Sequence, residues 1–248
     1  MSILSIKNLS FCYEKGKMIL DGLNAEFSKG RIIALLGKNG CGKSTLIDCI
    51  MGINDYSGKI LVQGESVKNY SEQQLAKLIS FIPQQIQINM DYSVFDFISF
   101  GRNPHISLFG KLTDKDYSCI EEAAEQCGIE SLLSKNINRI SGGELQLAFI
   151  ARALCQEASI IIMDEPTASL DFGNQKKLFS FVDDLSKKGK TIIFTTHNPN
   201  HLINKQFDIF TIYNGLLFPV KELDLKTVNK IYGDEFEYVN NAFGFRIT

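Results

Sequence analysis

Gly37-Lys38-Asn39-Gly40-Cys41-Gly42-Lys43-Ser44-Thr45 fits the pattern G-x-x-x-x-G-K-[ST]. Those residue types at that spacing make a phosphate-binding loop. Glycine tolerates positive φ and carries no side chain, so the backbone can wrap closely round an anion. The N–H groups of the loop and of the helix it opens then face the phosphates of a nucleotide. Lys43 is expected to reach the β- and γ-phosphates, and the Ser44 hydroxyl to ligate Mg2+. The flanks support this. Residues 32–36 are an apolar run that reads as a buried strand, and residues 46–51 read as the start of a helix. A glycine-rich turn alone does not explain Lys43-Ser44 at this spacing. Cys41 lies where a thiol's pKa tends to fall, but a small residue at a variable loop position explains it better.

A second set of groups follows strand-like runs. Ile160-Ile161-Ile162-Met163 ends in Asp164-Glu165-Pro166. An aspartate at the C-terminal edge of a strand beside a phosphate loop is placed to hold Mg2+, directly or through water. Glu165 is placed to polarise a water as general base, and Pro166 biases it away from helical geometry. Gln84, just after a strand and Pro83, could reach Mg2+ and the attacking water. His197, at the end of another strand, could hydrogen-bond a γ-phosphate. Tyr13 could stack on a base; the alternative is a core residue on a strand face. Ser141-Gly142-Gly143-Glu144 opens a helix and reads either as a second anion site or as an ordinary helix cap. His105 and His201 read as structural, in a loop and a helix respectively.

The elements that must position these groups follow from periodicity. Leu4, Ile6, Leu9, Phe11 and Tyr13 alternate as a strand, and a second strand spans 20–27. Residues 57–64 read as a strand and turn, 71–75 as a capped helix start, and 79–82 as a short strand stopped by Pro83. Strand signals vanish over about 93–138, where 121–127 and 129–135 read as short helices of an inserted lobe. Runs 159–164 and 191–195 suit central strands of a parallel sheet, joined through a helix at about 172–187. Residues 207–213 and 216–220 read as a hairpin across Asn214-Gly215. The expected fold is α/β, a P-loop NTPase core with a mainly parallel sheet, an N-terminal antiparallel β subdomain and the inserted helical lobe.

Bulk numbers bound the class. The 248 residues are 44% hydrophobic and 22% charged, ordinary for a globular chain. They fit a single domain over 1–248, its core at 1–92 and 139–248. The formal net charge of -2 argues against a dedicated nucleic-acid binder. Six cysteines without a C-x-x-C pair suggest reduced thiols. No secretion signal is read at the N-terminus, and no run nears the roughly 20 apolar residues that cross a bilayer. Any membrane partner must do the spanning.

The order Tyr13, G-K-N-G-C-G-K-S-T, Gln84, S-G-G-E-L-Q, I-I-I-M-D-E-P, Ala168-Ser169-Leu170-Asp171 and His197 resembles the ATP-binding subunit of an ABC transporter, over about residues 3–200. The resemblance implies two subunits packed head to tail. ATP would lie between one subunit's phosphate loop and the other's Ser141-Gly142-Gly143-Glu144 segment, with Asp171 tying the two sites together. It implies Mg2+ at Ser44, Gln84 and Asp164, and catalysis by Glu165, His197, Gln84 and Lys43. It also implies a place on the cytoplasmic face of the plasma membrane, against two polytopic permease subunits. Two departures stand out. Leu145 follows Glu144 where the family's usual signature has arginine, and Asn198 follows His197 where aspartate is common.

Residues 94–105, ending Gly101-Arg102-Asn103-Pro104-His105, with Leu108-Phe109-Gly110 after them, resemble importers of iron chelates, haem, cobalamin and oxyanions such as molybdate. In that group a soluble binding protein delivers the substrate. The chain is expected to end without an added regulatory domain. The alternative is the similarly sized ABC ATPase of an iron–sulfur cluster assembly complex, which a neighbouring gene for a soluble scaffold would favour.

Overall fold

The computed structural model describes residues 1–14, 16–84, 91–107, 110–168, 170–233, 236–239 and 241–245. Leu108, Phe109 and Ser169 of the motifs above lie outside the described residues. In chain order, β1 (Ser2–Cys12), β2 (Met18–Ser28) and β3 (Ile32–Leu36) precede α1 (Lys43–Ile50). Strands β4 (Ser57–Val62) and β5 (Glu65–Ser66) precede α2 (Glu72–Ala76) and β6 (Ile79–Ile82). Then come α3 (Val94–Ser99), α4 (Asp114–Cys127), α5 (Gly142–Cys155), β7 (Ile160–Met163), α6 (Phe172–Lys187) and β8 (Thr191–Thr196). The hairpin β9 (Asp208–Tyr213) and β10 (Leu216–Val220), helix α7 (Leu225–Tyr232) and the hairpin β11 (Phe236–Val239) and β12 (Ala242–Phe245) complete it. The chain divides into two compact units, Met1–Asn69 with Leu185–Thr248, and Tyr70–Asp184.

In the first unit β1 pairs antiparallel with β2 and with β4, and β4 with β5. Leu4, Ile6, Leu9, Leu20, Leu23, Phe27, Ile60 and Val62 fill its buried face, the half-buried alternation expected of an antiparallel sheet. Strand β3 lies parallel between β8 and β9, and β9 turns antiparallel into β10 through Asn214 and Gly215, both at positive φ. Every residue of β3 and β8 is buried, because a central parallel strand is covered on both faces.

The second unit holds the parallel pair β6 and β7, in register from Ile79↔Ile160 to Ile82↔Met163, together with the helices. Helix α4 is twice the length expected. It starts at Thr113, whose N–H and hydroxyl both donate to the Asp116 carboxylate, at 2.9 and 2.7 Å. The helix expected over 129–135 is only a 3-10 turn, Glu130–Leu132. Arg152 lies over the rings of Phe97 and Phe149, which themselves pack 4.7 Å apart.

The Gly101–His105 motif is a built part of this unit, in a 3-10 turn at Phe100–His105 rather than the expected loop. A Cβ on Gly101 would sit 2.3 Å from the Arg152 carbonyl oxygen, so only glycine lets these backbones meet. Arg102 is 2% exposed. It donates to Asp116 (2.8 Å), Glu157 (2.8 Å) and the Cys155 carbonyl (2.7 Å). Such satisfaction is what allows a guanidinium to be buried. His105 Nε2 meets the Gln156 carbonyl at 2.9 Å.

Candidate functional site

The phosphate loop joins β3 to α1. The Gly37 N–H still extends the sheet, donating to the Thr196 carbonyl at 3.2 Å. Gly42 then adopts φ 108°, open only to glycine at low cost, and a Cβ there would press on Leu20 at 3.0 Å. The loop curls round Lys43, whose ammonium donates to the carbonyls of Gly37 (2.8 Å) and Lys38 (3.0 Å). Lys43 and Thr45 are buried. Helices α2, α3 and α5 are capped by Ser71, Ser93 and Ser141. Helix α1 instead has Gly42 at its N-cap and no acidic residue in its first turn. An anion suits that uncapped positive end. Cys41 is half-buried within the loop and forms no disulfide.

Tyr13 is 64% exposed, just past the end of β1, so it is not a core residue. Its ring meets Phe11 edge-on at 4.8 Å, and its hydroxyl lies 3.3 Å from Thr45 Oγ1. That leaves an aromatic face open beside the phosphate loop. His197 follows β8 and lines, with Lys38 and Asn39, a cavity of about 490 Å3. His201 is held by Thr196 Oγ1 (2.9 Å) and the Asn198 side chain (3.3 Å), the structural role expected of it.

The carboxylates belong to the second unit. The Asp164 N–H donates to Ile82 at 2.9 Å, extending the pairing of β7 with β6. Because these strands run parallel, their C-terminal ends lie side by side. There the Gln84 amide donates to the Glu165 carboxylate at 3.4 Å. Both Asp164 and Glu165 are buried, at 7% and 8% exposure. Glu165 adopts φ 45°, the left-handed region, away from the right-handed helical geometry that Pro166 disfavours. A non-glycine residue there is strained, and such strain gathers at functional sites.

Ser141 caps α5 in a reciprocal box: it accepts the Glu144 N–H at 3.3 Å, and the Glu144 carboxylate accepts the Ser141 N–H at 2.7 Å. Hydrogen bonds from the Ser141 N–H and then its hydroxyl hold the Glu144 carboxyl below its usual range. Gly142 and Gly143 have no crowding neighbour where a Cβ would stand closer than 3.5 Å. Asp171 accepts the Asn174 N–H at 2.8 Å and its side-chain amide at 3.1 Å, capping α6.

The hydroxyl of Ser44, the carboxylate of Asp164 and the amide oxygen of Gln84 are hard oxygen donors of the kind Mg2+ takes. Among the described residues no group of three or more His, Cys, Asp or Glu side chains could hold a metal. A Mg2+ bound mostly through phosphate and water needs only one or two protein oxygens, which Ser44 of the first unit, or Asp164 and Gln84 of the second, are each chemically able to supply.

Sequence reasoning missed the C-terminal α7 and the β11–β12 hairpin, which share the cavity beside His197. The signals were present: Asp224 caps α7 by accepting the Thr227 N–H at 2.8 Å, and Gly233 ends it at φ 62°.

The family described as "ABC transporter" matches residues 20–168, and an AAA-domain family matches residues 134–204. The molybdate import ATP-binding protein MolC of Haemophilus influenzae is 38% identical over 202 residues, covering 81% of this chain and 75% of that protein. The iron(3+)-hydroxamate import ATP-binding protein FhuC of Bacillus subtilis is 34% identical over 203 residues, with the same coverage. A solved transporter described as of metal-chelate type, in an inward-facing conformation, superposes with a TM-score of 0.82 at 31% identity, over 98% of this chain and 94% of that one. A phosphate loop on an uncapped helix and a strained glutamate at a strand end thus stand in a chain that belongs to the ABC transporter family, as an ATP-binding cassette of the kind that hydrolyses ATP to power transport.

Proposed function

We propose that this cassette drives an importer for a metal chelate, haem, cobalamin or metal oxyanion, working as a head-to-tail homodimer on two polytopic permease subunits at the cytoplasmic membrane face. A binding protein on the far side delivers the cargo. The relatives named for molybdate and iron-hydroxamate import support the cargo class. Among the described residues no helix is long and apolar enough to cross a membrane, which suits a peripheral subunit. Residues 1–248 act as one ATPase domain, whose helical lobe at about 93–138 meets the permease.

The observation that carries the catalytic reading is the contact of Gln84 with Glu165 at 3.4 Å. Glu165 accepts the proton of a water that Gln84 helps to hold in line with the γ-phosphate. Lys43 exchanges its loop carbonyls for the β- and γ-phosphate oxygens, while the loop that starts at Gly37 cradles the triphosphate with backbone N–H groups from Asn39, Gly40, Cys41, Gly42 and Thr45. Ser44, Gln84 and Asp164 hold Mg2+, which when bound neutralises charge on the transferring phosphoryl group. His197 donates to a γ-phosphate oxygen and Tyr13 stacks on the adenine. From the partner subunit, the capped Ser141–Glu144 segment closes over the γ-phosphate, and Asp171 links the two sites.

The test is capture of tagged Glu165→Gln protein from detergent-solubilised membranes with ATP, followed by uptake of molybdate and of an iron chelate in cells lacking the gene. A co-purified polytopic subunit and lost uptake of one cargo support the reading. A soluble partner with unchanged uptake of both overturns it.

A further inference from the structure

The peptide plane that follows His197 is held at both ends. Its N–H, on Asn198, donates to Thr196 Oγ1 at 3.1 Å. Its carbonyl, on His197, accepts the hydroxyl of Tyr232, 35 residues further along the chain. A trans peptide is rigid, so two hydrogen bonds on one plane restrain the ψ angle of His197 and with it the backbone from which its side chain projects. The Thr196 bond is local to the strand end. The Tyr232 bond comes from α7, and the rest of the C-terminal segment secures it.

Tyr232 is 7% exposed, and its ring packs on Phe236 at 5.3 Å. The Phe236 N–H donates to Asn229 at 2.7 Å, which ties β11 back to α7. Asn200 grips β12 at both backbone groups of Phe243, accepting its N–H at 2.7 Å and donating to its carbonyl at 3.0 Å. The segment 197–200 is therefore clasped at its first and last residues by the C-terminal elements. Lys38 and Asn39 share the cavity that His197, Asn200, Tyr232 and Phe243 line, so the clasp adjoins the phosphate loop.

We propose that Tyr232 is a positioning residue for ATP hydrolysis, aiming the His197 imidazole by holding its carbonyl. This rests on the reading of His197 as a γ-phosphate donor. Tyr232 touches no reacting atom; it acts through the His197 backbone.

Tyr232→Phe keeps the ring against Phe236 and removes only the hydroxyl. The experiment compares Tyr232→Phe, His197→Ala and the double variant by kcat, KM for ATP, thermal unfolding and amide exchange over residues 196–201 in nucleotide-free protein. Tyr232→Phe is expected to lower kcat about five- to tenfold, the loss of one hydrogen bond's positioning. KM should stay within about twofold, the melting temperature should barely change, and amide exchange should quicken around Asn198. In the His197→Ala background the same substitution should cost nothing further. The inference is overturned if Tyr232→Phe keeps parental kcat while His197→Ala is slow, or if it lowers kcat equally in both backgrounds. If His197→Ala itself keeps parental kcat, the γ-phosphate reading fails and the positioning role falls with it.

Discussion

The side-chain amide of Gln84 and the carboxylate of Glu165 meet at 3.4 Å, although 81 residues separate them in the chain. Parallel pairing of β6 with β7 brings the ends of the two strands together, and the φ of 45° at Glu165 sets its side chain there. Replacing Glu165 by glutamine leaves shape and hydrogen bonding nearly intact and removes the base. The turnover of Glu165→Gln should fall about 100-fold or more, the usual contribution of general-base catalysis. ATP affinity should persist, and gel filtration with ATP should show a stable dimer. Turnover equal to the parent's would remove Glu165 from the base role.

Lys43 holds two loop carbonyls from a buried position. Lys43→Met keeps most of the side chain's volume and removes the charge. Its nucleotide dissociation constant should rise about 10- to 100-fold, the scale of hydrogen bonds to a charged group. Isothermal titration with ATP and with ADP checks this, and unchanged affinity would sink the phosphate-loop assignment.

Tyr13 presents an exposed ring, its hydroxyl within 3.3 Å of Thr45 Oγ1. Tyr13→Ala should weaken ATP binding about tenfold through lost stacking. It should leave inorganic tripolyphosphate binding unchanged, because that ligand has no base. A Tyr13→Phe variant should bind ATP within about twofold of the parent. Equal weakening toward both ligands would mean that Tyr13 shapes the loop instead.

The Gly101-Arg102 pair is structural. Removing one partner of a buried ion pair costs about 3–5 kcal/mol, so Arg102→Met should lower unfolding stability by that order in urea titrations. Gly101→Ala, whose new methyl would crowd the Arg152 carbonyl, should cost about 1–3 kcal/mol. Losses below about 0.5 kcal/mol in both would show that the motif is not what holds the lobe.

Asp116 gives this network a pH signature. Hydrogen bonds from the Thr113 hydroxyl and N–H, then from Arg102, hold its carboxyl down to about 2, from an ordinary 3.8. A carboxyl depressed on folding stabilises the protein fully above its unfolded value, and that contribution is lost as pH falls through its folded one. Between about pH 4 and pH 2 the parent should therefore lose stability more steeply than Asp116→Asn. Acid titration followed by circular dichroism reads the two slopes, and identical slopes would refute the linkage.

Local chemistry was legible in the residues. The phosphate loop, the β-rich runs at β7 and β8, the Ser71 and Ser141 caps and the Asn214-Gly215 turn depend on neighbours within a few positions, and periodicity and turn chemistry report those directly. The length of α4 was underestimated because its apolar face begins weakly, although Thr113 and Asp116 marked its start. The Gly101–His105 motif carried a family resemblance but not the burial of Arg102, since its partners Asp116 and Glu157 declare themselves only once α4 and α5 are packed. Three arrangements were decided by tertiary structure alone: the meeting of Gln84 with Glu165, the left-handed backbone of Glu165, and the hold of Tyr232 on His197. The first and the third join residues whose separation along the chain carries no period. Strand register and helix packing choose such pairs, and those choices are set by the burial of the whole core rather than by any local pattern.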